Sequence, residues 1–392
     1  MVRRHETTAT RLSCMFNDSH RAFQSRLIGM LSRLDGSALA RANTIVPTLA
    51  KLELLPLLAP IARDSSSELS PGSSGIDLRA ICLAREALAY LSPLADGIFA
   101  VQGLSIHPLI LARSAVHDAS VARAVAGEAV GAFALTEPEA GSDVASIRAT
   151  AVREGDRWVL SGEKVFISNA TIADFFVVFA KTQPDAGKAG ISAFLVPKSS
   201  PGLIVEEMPT SDGHPLGRVT LQRSSVAHDA LIGGEGEGMR LAMQTLDAFR
   251  TSVGAAAVGM AARAFDEAVA HVTTRVQFGK PLAQFQLTQG ALAEMMTEME
   301  AARMMVYRAA WMKDTSVASS ADVAMAKLFA TEAAQRVVDR AVQLHGGLGV
   351  VGSVVERLYS SVRPLRIYEG TSEIQKLIIG AAIVREHSAD RS

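Results

Sequence analysis

Phe175-Phe-Val-Val-Phe-Ala-Lys181 and Ile191-Ser-Ala-Phe-Leu-Val-Pro197 are short apolar runs of aromatic and β-branched residues, bounded by Asp, Ser, Gly and Pro. That composition suits pleated strands. Trp158–Leu160, Val165–Ser168 and Val219–Arg223 repeat it, with turn residues between them. Residues 129–234 are therefore expected to form an all-β unit.

On either side the apolar period is helical. His20–Leu34 and Leu78–Leu91 place residues 1–128 in an N-terminal helical domain. The polar stretch Ser65–Gly75 interrupts it and is expected to be flexible, as are residues 1–17. Gly234-Glu-Gly-Glu-Gly238 reads as a hinge-like loop. Beyond it, helices over Met239–Arg275, Phe285–Lys313, Ser320–His345 and Ser372–Glu386 suggest an up-and-down four-helix bundle spanning residues 235–392. The fold class is α+β, in the order helices, β unit, helices.

The 392 residues are 48% hydrophobic and 20% charged, enough to bury a sizeable core. Lys plus Arg number 39 against 40 Asp plus Glu, for a net charge of −1. That balance argues against a general nucleic-acid binder. Cys14 and Cys82 cannot build a disulfide framework or a four-cysteine zinc site. The nine histidines show no HxxxH or HExxH spacing, so no metal is expected. No membrane span is expected either. The run Val253–Phe265 is broken by Gly254, Gly259 and Arg263, short of the ~18 apolar residues a span needs. A reducing, cytoplasmic setting is the default. Gly347-Leu-Gly349-Val-Val-Gly352 matches GxGxxG, but a helix precedes it where the dinucleotide fingerprint needs a strand. Its glycines read as helix terminators. Met295, Met296, Met299, Met304 and Met305 lie on one helix and read as packing residues.

Three motifs offer chemistry. Ala134-Leu-Thr-Glu-Pro-Glu-Ala-Gly-Ser-Asp143 is a loop entering the β unit, with hydroxyls at Thr136 and Ser142; it is a ligand loop or an ordinary turn. Arg275-Val-Gln-Phe-Gly-Lys280 puts an arginine at the end of a helix. Arg275 there either grips a phosphate or caps its own helix. In Ile367-Tyr-Glu-Gly-Thr-Ser-Glu-Ile-Gln375, Ser372 and Gln375 have capping-box spacing for the final helix. Glu369 just before it is a solvated loop glutamate or, if desolvated, a general base with a raised pKa.

Together these motifs resemble the acyl-CoA dehydrogenase family. The resemblance rests on Leu135–Asp143, Phe166-Ile-Ser-Asn169, Arg275–Lys280, Gln343-Leu-His-Gly-Gly347 and Tyr368–Gln375, in order, with Asp247 and Arg250. It runs from about Glu128 to Glu386, while residues 1–75 match poorly. It implies an N-terminal helical domain, a middle β-barrel domain and a C-terminal four-helix bundle. It implies FAD as cofactor and oxidation of an acyl-CoA thioester to its trans-2-enoyl form. Glu369 would take the α-proton. Phe133, Leu135, Thr136, Phe166, Ile167 and Ser168 would line the flavin ring. Arg275, Gln277, Phe278, Gln286, Gln343, Gly346 and Gly347 would hold the adenine and pyrophosphate across a subunit interface. That implies a homo-oligomer, dimer or tetramer. Thr371, Ser372 and Glu373 would approach the phosphate side of the cofactor. Ser142, Asp247, Arg250, Tyr368 and Gly370 would contact acyl-CoA. An electron-transfer flavoprotein would accept the electrons. An oxidase using O₂ and a DNA-associated flavoprotein are alternatives on the same fold. Phe166 and Ser168 stand where many members have Trp and Thr. Ala248 stands where a few members place the base, which leaves Glu369 as the matched one.

Overall fold

The computed structural model describes residues 7–34, 36–59 and 75–389. Its helices are α1 (Thr8–Arg11), α2 (Asp18–Leu31), α3 (Ala42–Lys51), α4 (Leu78–Leu91), α5 (Pro93–Ala112) and α6 (Asp118–Val125), then, after the strands, α7 (Gly238–Thr274), α8 (Gln286–Asp314), α9 (Ser320–His345), α10 (Val354–Val362) and α11 (Ser372–Ala389). The strands are β1 (Gly131–Ala134), β2 (Thr150–Glu154), β3 (Arg157–Ser168), β4 (Phe175–Lys181), β5 (Ile191–Pro197), β6 (Leu203–Glu207), β7 (Leu216–Ala227), β8 (Leu231–Ile232), and a small pair, β9 (Val276–Gln277) with β10 (Lys280–Pro281). An N-terminal helical part, a middle β-rich part and a C-terminal helical part thus follow one another. The chain packs as two units, one of Met1–Leu34, Arg63–Asp96 and Arg250–Ser392, the other of Asp35–Ala62 and Gly97–Phe249.

In the second unit the sheet runs β6-β7-β3-β2-β4-β5-β8, with β1 parallel to β4. The two opening runs are β4 and β5, paired antiparallel from Phe175↔Pro197 to Lys181↔Ile191. Trp158–Leu160 and Val165–Ser168 prove to be one strand, β3, interrupted by irregularities rather than by turns. Trp158, Leu160, Phe176, Val178, Phe194, Val196 and Val219 are among the buried side chains of its core. Alternation along the strands supplies that face. Helix α5, not Val253–Phe265, has the length and hydropathy of a span, and 78% of its most apolar window is buried. Buried helices of globular proteins share that composition.

The first unit is helical. The small-residue run on α7 is a packing device. A Cβ on Gly254 would lie 2.6 Å from Val306 Cγ2 of α8, and one on Gly259 2.2 Å from the Glu86 carbonyl oxygen of α4. Backbones approach that closely only where no side chain intervenes. Residues 7–17, expected to be flexible, are instead ordered: Thr7 caps α1, Ala9 and Phe16 are buried, and Ala9 N–H donates to Gln24 Oε1 at 2.8 Å. Local composition does not register such tertiary docking. The expected mobile stretch Ser65–Gly75 lies, except for Gly75, outside the described residues, as do residues 1–6. The C-terminal part also has a short helix beyond the expected four, α10, capped by Ser353. Met295 and Met299 are buried but Met296 and Met304 are exposed, so only part of the methionine stripe is core. Gly346, one residue before the GxGxxG match, terminates α9 with φ 59°.

Candidate active site

The first unit builds a strained turn around Glu369. The chain leaves α10 through Arg363–Arg366, and the Ile367 and Tyr368 N–H groups both close onto the Pro364 carbonyl. Glu369 and Gly370 then take φ of 53° and 92°. A left-handed glutamate costs about 1 kcal/mol or more, so its surroundings must hold it there. They do so through its carbonyls. Arg250 Nε of α7 donates to the Glu369 oxygen at 3.0 Å. Gln375 Nε2 of α11 and Lys327 Nζ of α9 each donate to the Gly370 oxygen at 2.8 Å.

The side chain of Glu369 lies among charged groups. Its Oε2 is buried without a hydrogen-bond partner among the described residues. Burial pushes its pKa above the usual carboxylate range, against the lowering pull of Arg85, Arg250 and Lys327, while Asp96 adds to the rise. Arg85 is fully buried and binds Asp96 twice, Nε–Oδ1 at 2.8 Å and Nη2–Oδ2 at 2.9 Å. Its third contact is Ser252 Oγ at 2.9 Å. The Tyr368 ring is partly exposed. Burial of its hydroxyl, opposed by the Arg85 guanidinium beside it, pushes that hydroxyl up as well.

The start of α11 differs from the capping-box expectation. Thr371 is the cap: its Oγ1 accepts from Ile374 N–H at 3.3 Å. Ser372 is drawn away, its hydroxyl donating to Glu332 Oε1 at 2.6 Å, and Gln375 serves the Gly370 carbonyl. A carboxylate is the stronger acceptor, so Ser372 follows it. Glu373 is exposed in the first turn.

A second group gathers where α7 and α9 end. His271 and His345 stack with ring centroids 4.5 Å apart, which sets the Arg275 end of α7 beside Gln343, Gly346 and Gly347. α7 stops at Thr274, one residue short of the expected end, so Arg275 opens the β9–β10 turn. Gln277, Phe278 and Gln286 are exposed, Phe278 by 93%. The described residues show no hydrogen bond or ion pair joining Arg275–Phe278 to the Glu369 turn.

In the second unit Phe133, Leu135 and Thr136 run beside β3. Val165 N–H donates to the Thr136 oxygen at 3.0 Å, and buried Lys164 reaches the Leu135 oxygen at 3.0 Å and Glu137 Oε1 at 2.7 Å. Burial pushes Lys164 down to about 8, with Glu137 opposing. Phe166 sits in a bulge of β3 with φ 57° and is 62% exposed, whereas Ile167 is buried and Ser168 half-buried. Asn169, buried, ties this end of β3 to the Gly131 oxygen at 3.2 Å. Ser142 is exposed and Asp247 half-buried. Arg85, Asp96, Lys327 and the Glu137–Lys164 brace did not stand out in the sequence. Their only local signal is a charged residue at an apolar helical or strand position.

These geometries suit the group the motifs imply. An exposed aromatic face beside half-buried hydroxyls is the lining a planar polar ring takes, and an unpartnered buried carboxylate oxygen is what a carbon acid requires. Among the described residues no cluster of His, Cys, Asp and Glu could hold a metal ion.

Residues 132–224 match the family model "Acyl-CoA dehydrogenase, middle domain", and residues 236–384 match "Acyl-CoA dehydrogenase, C-terminal domain". The chain is 37% identical over 344 residues to the mitochondrial short-chain specific acyl-CoA dehydrogenase of Homo sapiens, covering 86% of this chain and 83% of that one. It superposes on butyryl-CoA dehydrogenase from Megasphaera elsdenii with a TM-score of 0.83 at 30% identity, over 94% and 99% of the two chains. It superposes on the structure of PigA with FAD and proline with a TM-score of 0.84 at 30% identity, over 94% and 98%. The chain, with its helical, β and helical parts, belongs to the acyl-CoA dehydrogenase family.

Proposed function

We propose that this protein is an FAD-dependent acyl-CoA dehydrogenase that converts an acyl-CoA thioester to its trans-2-enoyl form. The observation that carries the reading is the Glu369 carboxylate, its Oε2 buried and unpartnered and its pKa raised. Such a base holds the substrate's α-proton after removing it. FAD, when bound, supplies the acceptor for the β-hydride. Phe133, Leu135, Thr136, Phe166, Ile167 and Ser168 would line the ring, with Phe166 offering its open face. Thr371, Ser372 and Glu373 would lie toward the phosphates, at a helix N-terminus suited to anions. Ser142, Asp247, Arg250, Tyr368 and Gly370 would receive the thioester. Bound substrate would exclude water from around Glu369, which keeps the base strong enough for a carbon acid.

The exposed apolar and basic edge at Arg275–Phe278 supports a homodimer or tetramer in which Arg275, Gln277, Phe278, Gln286, Gln343, Gly346 and Gly347 meet a partner's cofactor. We assign the domains to residues 1–128, 129–234 and 235–392, and the electron acceptor to an electron-transfer flavoprotein in the cytoplasm. The test is anaerobic bleaching of the bound flavin by straight, branched and cyclic acyl-CoAs, with an artificial acceptor for turnover. A colourless protein that refuses added FAD sinks the reading. Hydrogen peroxide formed stoichiometrically in air would make it an oxidase instead.

A further inference from the structure

We propose that Lys327 positions the base: from α9 its Nζ clamps the Gly370 carbonyl, and with it the left-handed turn that carries Glu369. This rests on the assignment of Glu369 as base. Lys327 is fully buried on a helix face with Val323, Ala324, Ala330 and Thr331. An ammonium there is costly, and packing alone calls for an apolar residue. Its hydrogen bond goes to the Gly370 oxygen, at 2.8 Å. That oxygen is available to it because Glu369 and Gly370 both adopt positive φ.

The same ammonium acts on the carboxylate by charge. Glu369 faces Arg85 of α4, Asp96 of α5, Arg250 of α7, Lys327 of α9 and its neighbour Tyr368. Lys327 in turn faces Glu369, Arg250, Glu332 of its own helix and Glu373 of α11. Burial holds Lys327 down at about 8, so near neutral pH it is still largely protonated. A cation beside Glu369 favours the carboxylate. Lys327 therefore fixes where the base points and limits how far burial raises its pKa.

The test uses the FAD-loaded protein and Lys327→Met, Lys327→Gln and Lys327→Arg. In Lys327→Met, kcat falls on the order of 10²-fold, as a base misplaced by about 1 Å would cause. KM for acyl-CoA and flavin content stay near parental. The acid limb of the kcat profile moves to higher pH, and amide exchange over residues 368–371 quickens. Lys327→Arg leaves the limb in place. If Lys327→Met does not accumulate, Lys327→Gln carries the test, because it keeps a donor and loses the charge: exchange stays slow while the limb moves. A parental limb together with parental exchange in Lys327→Met, or an unmoved limb in Lys327→Gln, overturns the proposal. Flavin bleaching that survives in Glu369→Gln removes the base assignment itself, a result no Lys327 variant can produce.

Discussion

Glu369 combines two costs, a left-handed backbone and a buried carboxylate, and its neighbours offset both. Glu369→Gln keeps size and hydrogen-bonding capacity but removes the basic oxygen. The variant should remain yellow and bind thioester, yet show no bleaching by substrate in anaerobic absorbance titration. Arg85 and Asp96 form the other buried charge beside it, both essentially unexposed. Asp96→Ala strands a guanidinium in the interior, and about 3–5 kcal/mol of stability should be lost. The exposed pair Arg223–Glu154 provides the contrast: Arg223→Ala should cost less than about 1 kcal/mol. Urea midpoints of the two variants measure the difference. Equal losses would mean that the Arg85 pair is solvated.

At the scale of elements, α4 meets α7 and α8 through groups that local sequence does not advertise. Gly259→Ala on α7 drives a methyl into the Glu86 carbonyl of α4. Overpacking of that kind costs about 1–3 kcal/mol, readable as a lowered thermal midpoint. The N-terminus of α4 is held by two carboxylates. Asp77 accepts from Ala80 N–H at 2.9 Å. Asp314, from the end of α8, accepts from Leu78 N–H at 2.9 Å and Arg79 N–H at 3.1 Å. Burial and the facing Asp77 push Asp314 up to about 6. The folded protein thus binds this proton more tightly than the unfolded chain. The stability it contributes is complete below about pH 4, the ordinary aspartate value, and is lost as pH rises through about 6. Asp314→Asn should remove that part of the pH dependence. The parent's thermal midpoint minus the variant's should fall between pH 4.5 and pH 8, and a pH-independent difference would contradict it.

Several large apolar side chains of the first unit stand exposed. Phe278 and Leu287 are more than nine-tenths exposed, and Leu348, Val350, Val351, Leu377, Ile383 and Val384 are exposed as well. Exposed apolar side chains, where they cluster, mark association surfaces. Sedimentation should therefore give a dimer or a larger species, and a monomer at micromolar concentration would contradict the assembly. Arg275 is exposed as well, at the start of the turn that carries Phe278. Arg275→Ala should lower FAD retention through gel filtration, followed by the ratio of flavin to protein absorbance, while Glu369 keeps its raised pKa. Full cofactor occupancy would remove Arg275 from the phosphate-binding role.

Much of this was legible in the chain itself. Periodicity alone separated the β part from the helical parts, because strand and helix place apolar residues at different spacings. β4, β5, α4 and α9 fall where their patterns put them. Glu369 and Arg275 stood out because Gly and capping residues punctuate the loops that carry them, whereas the Phe166 segment read as a strand run and drew notice as a site only through the family resemblance. Tertiary structure alone decided what surrounds Glu369. Arg85 and Lys327 are polar residues on apolar helix faces, 284 and 42 positions from Glu369 in the chain. Ser372 turned to Glu332 and left the capping place to Thr371, and residues 7–17 became ordered by docking. Each outcome depends on which distant group shares a low-dielectric interior, and no local window of sequence contains that information.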